Sequence, residues 1–178
     1  GVNPALGYSE ESGITFGIAL IKNKYIGRTF AKRQLAAKER LIQIKINVLK
    51  AAVEGKRVVI IDDSIVRGTT CAHIVRLLKE AGAKEVHMRI SSPPFLNQCY
   101  FGTDIKNEED LIARKLSAQE ICRKIGADSL GYLSISGLHR IAKEASVGFC
   151  DACFTGNYPA EIPQTIYEDK FSRKIVQK

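Results

Sequence analysis

The segment Val58-Val59-Ile60-Ile61-Asp62-Asp63 constrains this chain more than any other. Four consecutive β-branched residues, entered from the turn-like Glu54-Gly55-Lys56, predict a strand buried on both faces of a parallel sheet, stopping at the paired carboxylates. A parallel neighbour requires a crossover, and the following residues supply one. Ser64 to Gly68 form a polar connection, and Thr69 or Thr70 opens a helix with an apolar stripe at Ile74, Leu77, Leu78 and Ala81, ended by Gly82. Val86, Met88 and Ile90 alternate as the next strand, which Pro93-Pro94 breaks. The result is a βαβ unit with an expected right-handed crossover.

The remainder fits the same class. Asn3 is a candidate cap for a helix over 4–12 that has Pro4 at its first position and Gly13 at its end. A strand is expected over 16–21 and a mobile loop from Lys22 to Gln34. Residues 35–53 contain helical stretches, although Ile42, Ile44 and Ile46 alternate like a short strand, and both readings stay open. Further helices are expected over 108–114 and 117–125, the second with a Ser117/Glu120 capping box and Gly126 as its stop. A strand over 130–133 and a helix over 136–145 follow. The expected fold is α/β, a mostly parallel twisted sheet flanked by helices, occupying 1–149, with an irregular tail over 150–178.

With 45 % hydrophobic residues, 178 residues can bury one sizeable core. No apolar run approaches the roughly 18 to 20 residues of a membrane span, and neither a membrane nor a secretion signal is expected, so the chain reads as cytoplasmic. The net charge of +8 favours anionic partners, and between Lys22 and Lys50 the only acid is Glu39. Charge alone does not separate phosphorylated metabolites from nucleic acid, but no alternation of basic and aromatic residues marks a nucleic-acid surface.

Ligands of an open α/β sheet lie beyond the carboxyl ends of the strands, and there this chain places Asp62-Asp63-Ser64-Ile65-Val66-Arg67-Gly68-Thr69-Thr70. Arg67, Gly68 and the hydroxyls of Thr69 and Thr70 fall at a helix N-terminus, where free N–H groups and the helix dipole hold a phosphate dianion. Two adjacent carboxylates accept hydrogen bonds from sugar diols or hold a hard cation such as Mg²⁺. The glycine spacing of a Walker loop is absent.

The run from Val58 to Thr70 resembles the signature of type I phosphoribosyltransferases, which bind 5-phosphoribosyl 1-diphosphate. Lys22-Asn23-Lys24-Tyr25-Ile26-Gly27-Arg28-Thr29-Phe30, Ile90-Ser91-Ser92-Pro93-Pro94, Ile125-Gly126-Ala127-Asp128 and Cys150-Asp151-Ala152-Cys153-Phe154-Thr155-Gly156 are similar, in the same order, to the amidophosphoribosyltransferase family. That resemblance covers almost the whole chain. It implies transfer of glutamine-derived ammonia to 5-phosphoribosyl 1-diphosphate, giving 5-phosphoribosylamine and pyrophosphate, the first step of purine synthesis. Asp62 and Asp63 are then expected at the ribose hydroxyls and Mg²⁺, and Ser64, Ile65, Val66, Arg67, Gly68, Thr69 and Thr70 around the 5-phosphate. The basic loop becomes a closing lid, with Arg28 and Thr29 as substrate contacts and Lys22 and Lys45 as partners of the diphosphate. A non-catalytic phosphoribosyl-diphosphate or nucleotide-binding module of the same fold is the alternative.

The family further implies a glutaminase domain upstream in the same polypeptide, a homo-oligomer and purine nucleotides as feedback inhibitors. The opening Gly1-Val2-Asn3-Pro4 reads as cut from something longer, with Gly1 as the last glycine of the family's pyrophosphate loop. Five cysteines, an odd number, argue against a secreted disulfide scaffold. On spacing alone a Cys-x-x-Cys pair leaves zinc, a redox pair and plain thiols open. One branch of the family carries a 4Fe-4S cluster, and its pattern maps onto Cys99, Cys150 and Cys153, with the fourth ligand upstream of Gly1. Cys71 and Cys122 are expected to be ordinary buried residues, and His73, His87 and His139 structural, since no His-Asp or His-Cys spacing marks a catalytic pair.

Overall fold

The computed structural model describes residues 1–22, 46–103, 105, 108–144 and 146–162. Helix α1 (Val2–Ser12) leads to strand β1 (Leu20–Lys22), which pairs antiparallel with β2 (Ile46–Val48), Leu20 facing Val48. After the single turn α2 (Lys50–Val53) come β3 (Arg57–Asp62), α3 (Thr69–Glu80) and β4 (Glu85–Ile90). A 3-10 turn (Glu108–Asp110), α4 (Ile112–Lys115) and α5 (Ala118–Ile125) lead to β5 (Ser129–Tyr132). Helices α6 (Ile135–Ile141) and α7 (Ala152–Thr155) close the described chain.

Strands β3, β4 and β5 form a parallel sheet in that order, with Asp62 opposite Ile90 and Ile90 opposite Tyr132. The fold is therefore α/β with a parallel sheet flanked by helices. β4 is its central strand, and its alternation is strict: Val86, Met88 and Ile90 are buried and the residues between them are not. β3 departs from expectation. Val58 to Ile61 are only partly buried, because β3 pairs with β4 on one side alone among the described residues. A continuous apolar run does not by itself distinguish a central strand from an edge strand covered in part by a helix, here α1.

The main core joins Val75, Leu78, Val86, Met88, Ile121 and Ile125, with Leu20, Ile46 and Val48 of the small ribbon packed against it. Burying side chains of this size contributes about 1.5–3 kcal/mol each. The capping box forms as read: Glu120 N–H donates to the Ser117 hydroxyl, and the Glu120 carboxylate accepts from the Ser117 N–H at 2.8 Å. At the amino end of α1 the expectation fails, since Asn3 lies inside the helix and Gly1 is the capping position, while Gly13 does end it in the left-handed region. The strand expected over 16–21 is regular only from Leu20. Residues 23–45, with Arg28 and Thr29, lie outside the described residues.

A second core of Phe95, Ile105 and Leu111 receives Cys153 and Phe154 from the tail. The Cys153 carbonyl accepts the N–H groups of Leu96 and Asn97, and the Tyr158 hydroxyl donates to the Gln98 carbonyl at 2.7 Å. Phe154 packs at a tilt against Phe95, ring centroids 4.9 Å apart, and Tyr158 meets Tyr100 edge-on, so both aromatics are packing residues. The described part of the tail, residues 150–162, packs against this second core and carries a helical turn at α7, where an irregular course was expected; the rest of the tail lies outside the described residues.

Candidate functional site at the sheet edge

The carboxyl edge of β3 is built around Asp62. Its carbonyl accepts from the N–H and the hydroxyl of Ser91, at 2.9 and 3.1 Å, which ties the ends of β3 and β4 together. Its carboxylate accepts the Asp63 N–H on Oδ1 at 3.0 Å and the Cys71 thiol on Oδ2 at 3.8 Å. Burial raises the Asp62 carboxyl to about 6, and the adjacent Asp63 side chain reinforces the shift. Asp63 itself is exposed. Gly1 lies against the same edge, so close that a Cβ there would sit 3.0 Å from the Ile61 carbonyl oxygen.

Beyond the aspartates the loop is anchored rather than loose. Ile65 is buried, Ser64 and Val66 are half-buried, and the Val66 carbonyl accepts the Ile112 N–H at 2.9 Å. Gly68 turns the chain with φ +78°, and a side chain there would meet Ile112 Cδ1 at 3.2 Å and Ile125 Cγ2 at 3.4 Å. A residue with neither Cβ nor a penalty at positive φ is what this contact permits. No side chain caps α3, so the first N–H groups of this 12-residue helix stay available beside the exposed Thr69 and Thr70.

Arg67 is ion-paired with Asp110 and held charged by that contact. The guanidinium thus fastens the loop to the 3-10 turn, where it lines a hollow of 280 Å³ with Asp110, Lys115 and Lys124. Sequence reasoning assigned Arg67 to phosphate and did not anticipate Asp110. Lys22 ends β1, exposed, and no hydrogen bond or ion pair among the described residues links it to this edge. Arg28, Thr29 and Lys45 fall outside the described residues.

Cys71 is buried in the main core, as expected, and its thiol also faces Asp62. Burial pushes it up to about 12, with Asp62 adding to the shift, so it stays a protonated donor to that carboxylate. Tyr132, on the same rung of the sheet, has a buried hydroxyl that finds no hydrogen-bond partner among the described residues and is raised to about 12 by burial. A cysteine in a helix carries no sequence signal for such a role.

The cysteines of the tail lie elsewhere. Burial acts to raise the Cys99 thiol, but N–H groups of Thr103, Phe101 and Gly102 around it bring it below its ordinary value, and the Thr103 N–H reaches Sγ at 3.2 Å. Burial, then the nearby Cys99 and Cys150, raise Cys153 to about 11. Among the described residues no three His, Cys, Asp or Glu side chains form a ready-made site for a metal ion. His139 has a structural contact, in line with the expectation for it: its Nε2 lies 2.8 Å from Asp151 Oδ2, a pair that bridges α6 and the cysteine turn and that their spacing in the sequence does not announce.

The strand ending in paired carboxylates, the anchored turn and the uncapped amino end of α3 all fall within the span that a known domain family matches. The phosphoribosyl transferase domain model matches residues 10–91. Amidophosphoribosyltransferases are the relatives: that of Archaeoglobus fulgidus is 49 % identical over 165 residues, covering 92 % of this chain and 36 % of the relative. That of Bacillus subtilis is 48 % identical over 167 residues, covering 92 % and 35 %. The solved glutamine phosphoribosylpyrophosphate amidotransferase from B. subtilis, complexed with ADP and GMP, superposes with a TM-score of 0.80 at 47 % identity, over 93 % of this chain and 37 % of that one. This chain belongs to the amidophosphoribosyltransferase family, and it spans just over a third of the length of these relatives.

Proposed function

We propose that this chain is the phosphoribosyl-transfer unit of an amidophosphoribosyltransferase, in which ammonia displaces pyrophosphate from 5-phosphoribosyl 1-diphosphate to give 5-phosphoribosylamine. The observation that carries the reading is the shared edge at which Asp62-Asp63 meets the uncapped amino end of α3. The 5-phosphate would rest on the N–H groups and hydroxyls between Ser64 and Thr70, and the ribose hydroxyls would donate to the aspartates. In the transfer the ammonia nitrogen bonds to the anomeric carbon and the bond to the diphosphate oxygen breaks. The diphosphate leaves with that electron pair, and the nitrogen loses a proton. The protein's contribution is positioning, charge compensation and exclusion of water rather than a covalent nucleophile.

Two neighbouring carboxylates, one half-buried and raised, suit a Mg²⁺ ion that completes its shell with substrate oxygens. When bound, Mg²⁺ supplies compensation for the negative charge that builds on the leaving diphosphate. Lys22, Arg28, Thr29 and Lys45 are further substrate contacts on this reading, by the family pattern.

Cys99, in its nest of N–H groups, Cys150 and Cys153 would supply three thiolates to a 4Fe-4S cluster, and a fourth ligand is needed from elsewhere in the protein. The transfer moves no electron, so the cluster's place would be structural, fastening the tail. A glutaminase domain as ammonia source, homo-oligomerisation, a cytoplasmic location and feedback by purine nucleotides also belong to this proposal. A relative solved with ADP and GMP supports the last of these. Ammonia-dependent formation of phosphoribosylamine by the protein tests the assignment; binding of the diphosphate without turnover would instead favour the regulatory module.

A further inference from the structure

Asp62, Ile90 and Tyr132 occupy one rung across the parallel strands, so their side chains share a face of the sheet. The first turn of α3 covers that face. Cys71 lies there, 2 % exposed, in the same apolar cluster as Ile90 and Tyr132, and its thiol is directed at Asp62 Oδ2 at 3.8 Å. The other carboxylate oxygen takes the Asp63 N–H, and the backbone carbonyl of Asp62 is held by Ser91. Asp62 is thus fixed at three atoms, whereas Asp63 next to it is exposed.

We propose that Cys71 is a positioning residue for sugar binding, holding the Asp62 carboxylate in one orientation from beneath so that its outward lone pairs meet the ribose hydroxyls. The inference rests on the function proposed above and adds to it a division of labour: Asp62 is a fixed acceptor with a buried support, and Asp63 an adaptable one. A thiol suits the buried position because it fills apolar space while donating weakly, and so it leaves the carboxylate its charge. Losing one such donor to a partly buried carboxylate weakens what the carboxylate binds by roughly fivefold.

The test compares Cys71→Ala, Cys71→Ser and, as a control thiol, Cys122→Ala, whose thiol donates to the Ala127 carbonyl instead. Affinity for 5-phosphoribosyl 1-diphosphate with Mg²⁺ is read by calorimetry, and the Asp62 χ1 rotamer in the free protein by scalar couplings. Cys71→Ala is expected to bind roughly fivefold more weakly and to average the Asp62 rotamer. Cys71→Ser, whose shorter Cβ–O bond leaves its hydroxyl beyond hydrogen-bond reach of Asp62 Oδ2, is expected to behave like Cys71→Ala, and Cys122→Ala changes neither. Wild-type affinity with a single Asp62 rotamer in Cys71→Ala overturns the inference. Should the unaltered protein bind no ligand, the proposed function falls, and the couplings still decide whether Cys71 holds Asp62.

Discussion

The Val66 carbonyl accepts the N–H of Ile112 at 2.9 Å, and through this bond the loop after β3 is fastened to the segment that precedes α5. Ile112 of that segment and Ile125 at the end of α5 both press against Gly68, so the turn that presents the amino end of α3 is held on two sides.

Gly68→Ala should therefore destabilise the protein by about 1–3 kcal/mol, combining the positive φ with a Cβ 3.2 Å from Ile112 Cδ1. Urea unfolding of the variant against the unaltered protein checks this. A midpoint that does not move would mean that the loop is not seated on Ile112.

Tyr132→Phe should raise stability by about 1 kcal/mol, because it deletes a buried hydroxyl that has no partner among the described residues and leaves the ring in place. A lowered thermal midpoint would reveal a partner for that hydroxyl.

Asp128 gives a dependence on pH with a definite sign. Its Oδ2 accepts the Val86 N–H at 2.7 Å, and that bond, with Lys79 nearby, holds its carboxyl below the ordinary carboxylate range. The folded pKa being the lower one, its contribution is complete above the unfolded value near 4 and is lost as pH falls through the folded value. Asp128→Asn should flatten the decline in stability below about pH 4, measured as urea midpoints from pH 6 to pH 3. An unchanged slope would contradict the bond to Val86.

His139 and Asp151 connect α6 to the cysteine turn on the surface. Exposed pairs of this kind contribute about 0.2–1 kcal/mol, so His139→Ala should leave global unfolding almost unchanged. Hydrogen exchange at Phe154 and Thr155, whose N–H groups donate to the Asp151 carbonyl, should quicken. Exchange as slow as in the unaltered protein would show that the turn is held without the pair.

The βαβ unit was legible in the sequence because each element carries its own period: the β-branched run of β3, the stripe of α3 and the strict alternation of β4. The Ser117/Glu120 box was legible because both halves of the cap lie within four residues. Relationships that depend on packing were not. Nothing local distinguishes Cys71 beneath Asp62 from any other small residue on a helix, and Arg67 with Asp110, or His139 with Asp151, meet only once the chain has folded. The partial burial of β3 was misread for a related reason, since a strand's neighbours, not its composition, decide which of its faces are covered.

The central claim is that a sugar phosphate spans from Asp62-Asp63 to the amino end of α3. A crystal structure of the protein grown with ribose 5-phosphate and Mg²⁺ tests it most directly. The account predicts phosphate oxygens on the N–H groups between Ser64 and Thr70 and ribose hydroxyls donating to Asp62 and Asp63. A phosphorylated ribose bound elsewhere, with this edge vacant, would contradict it.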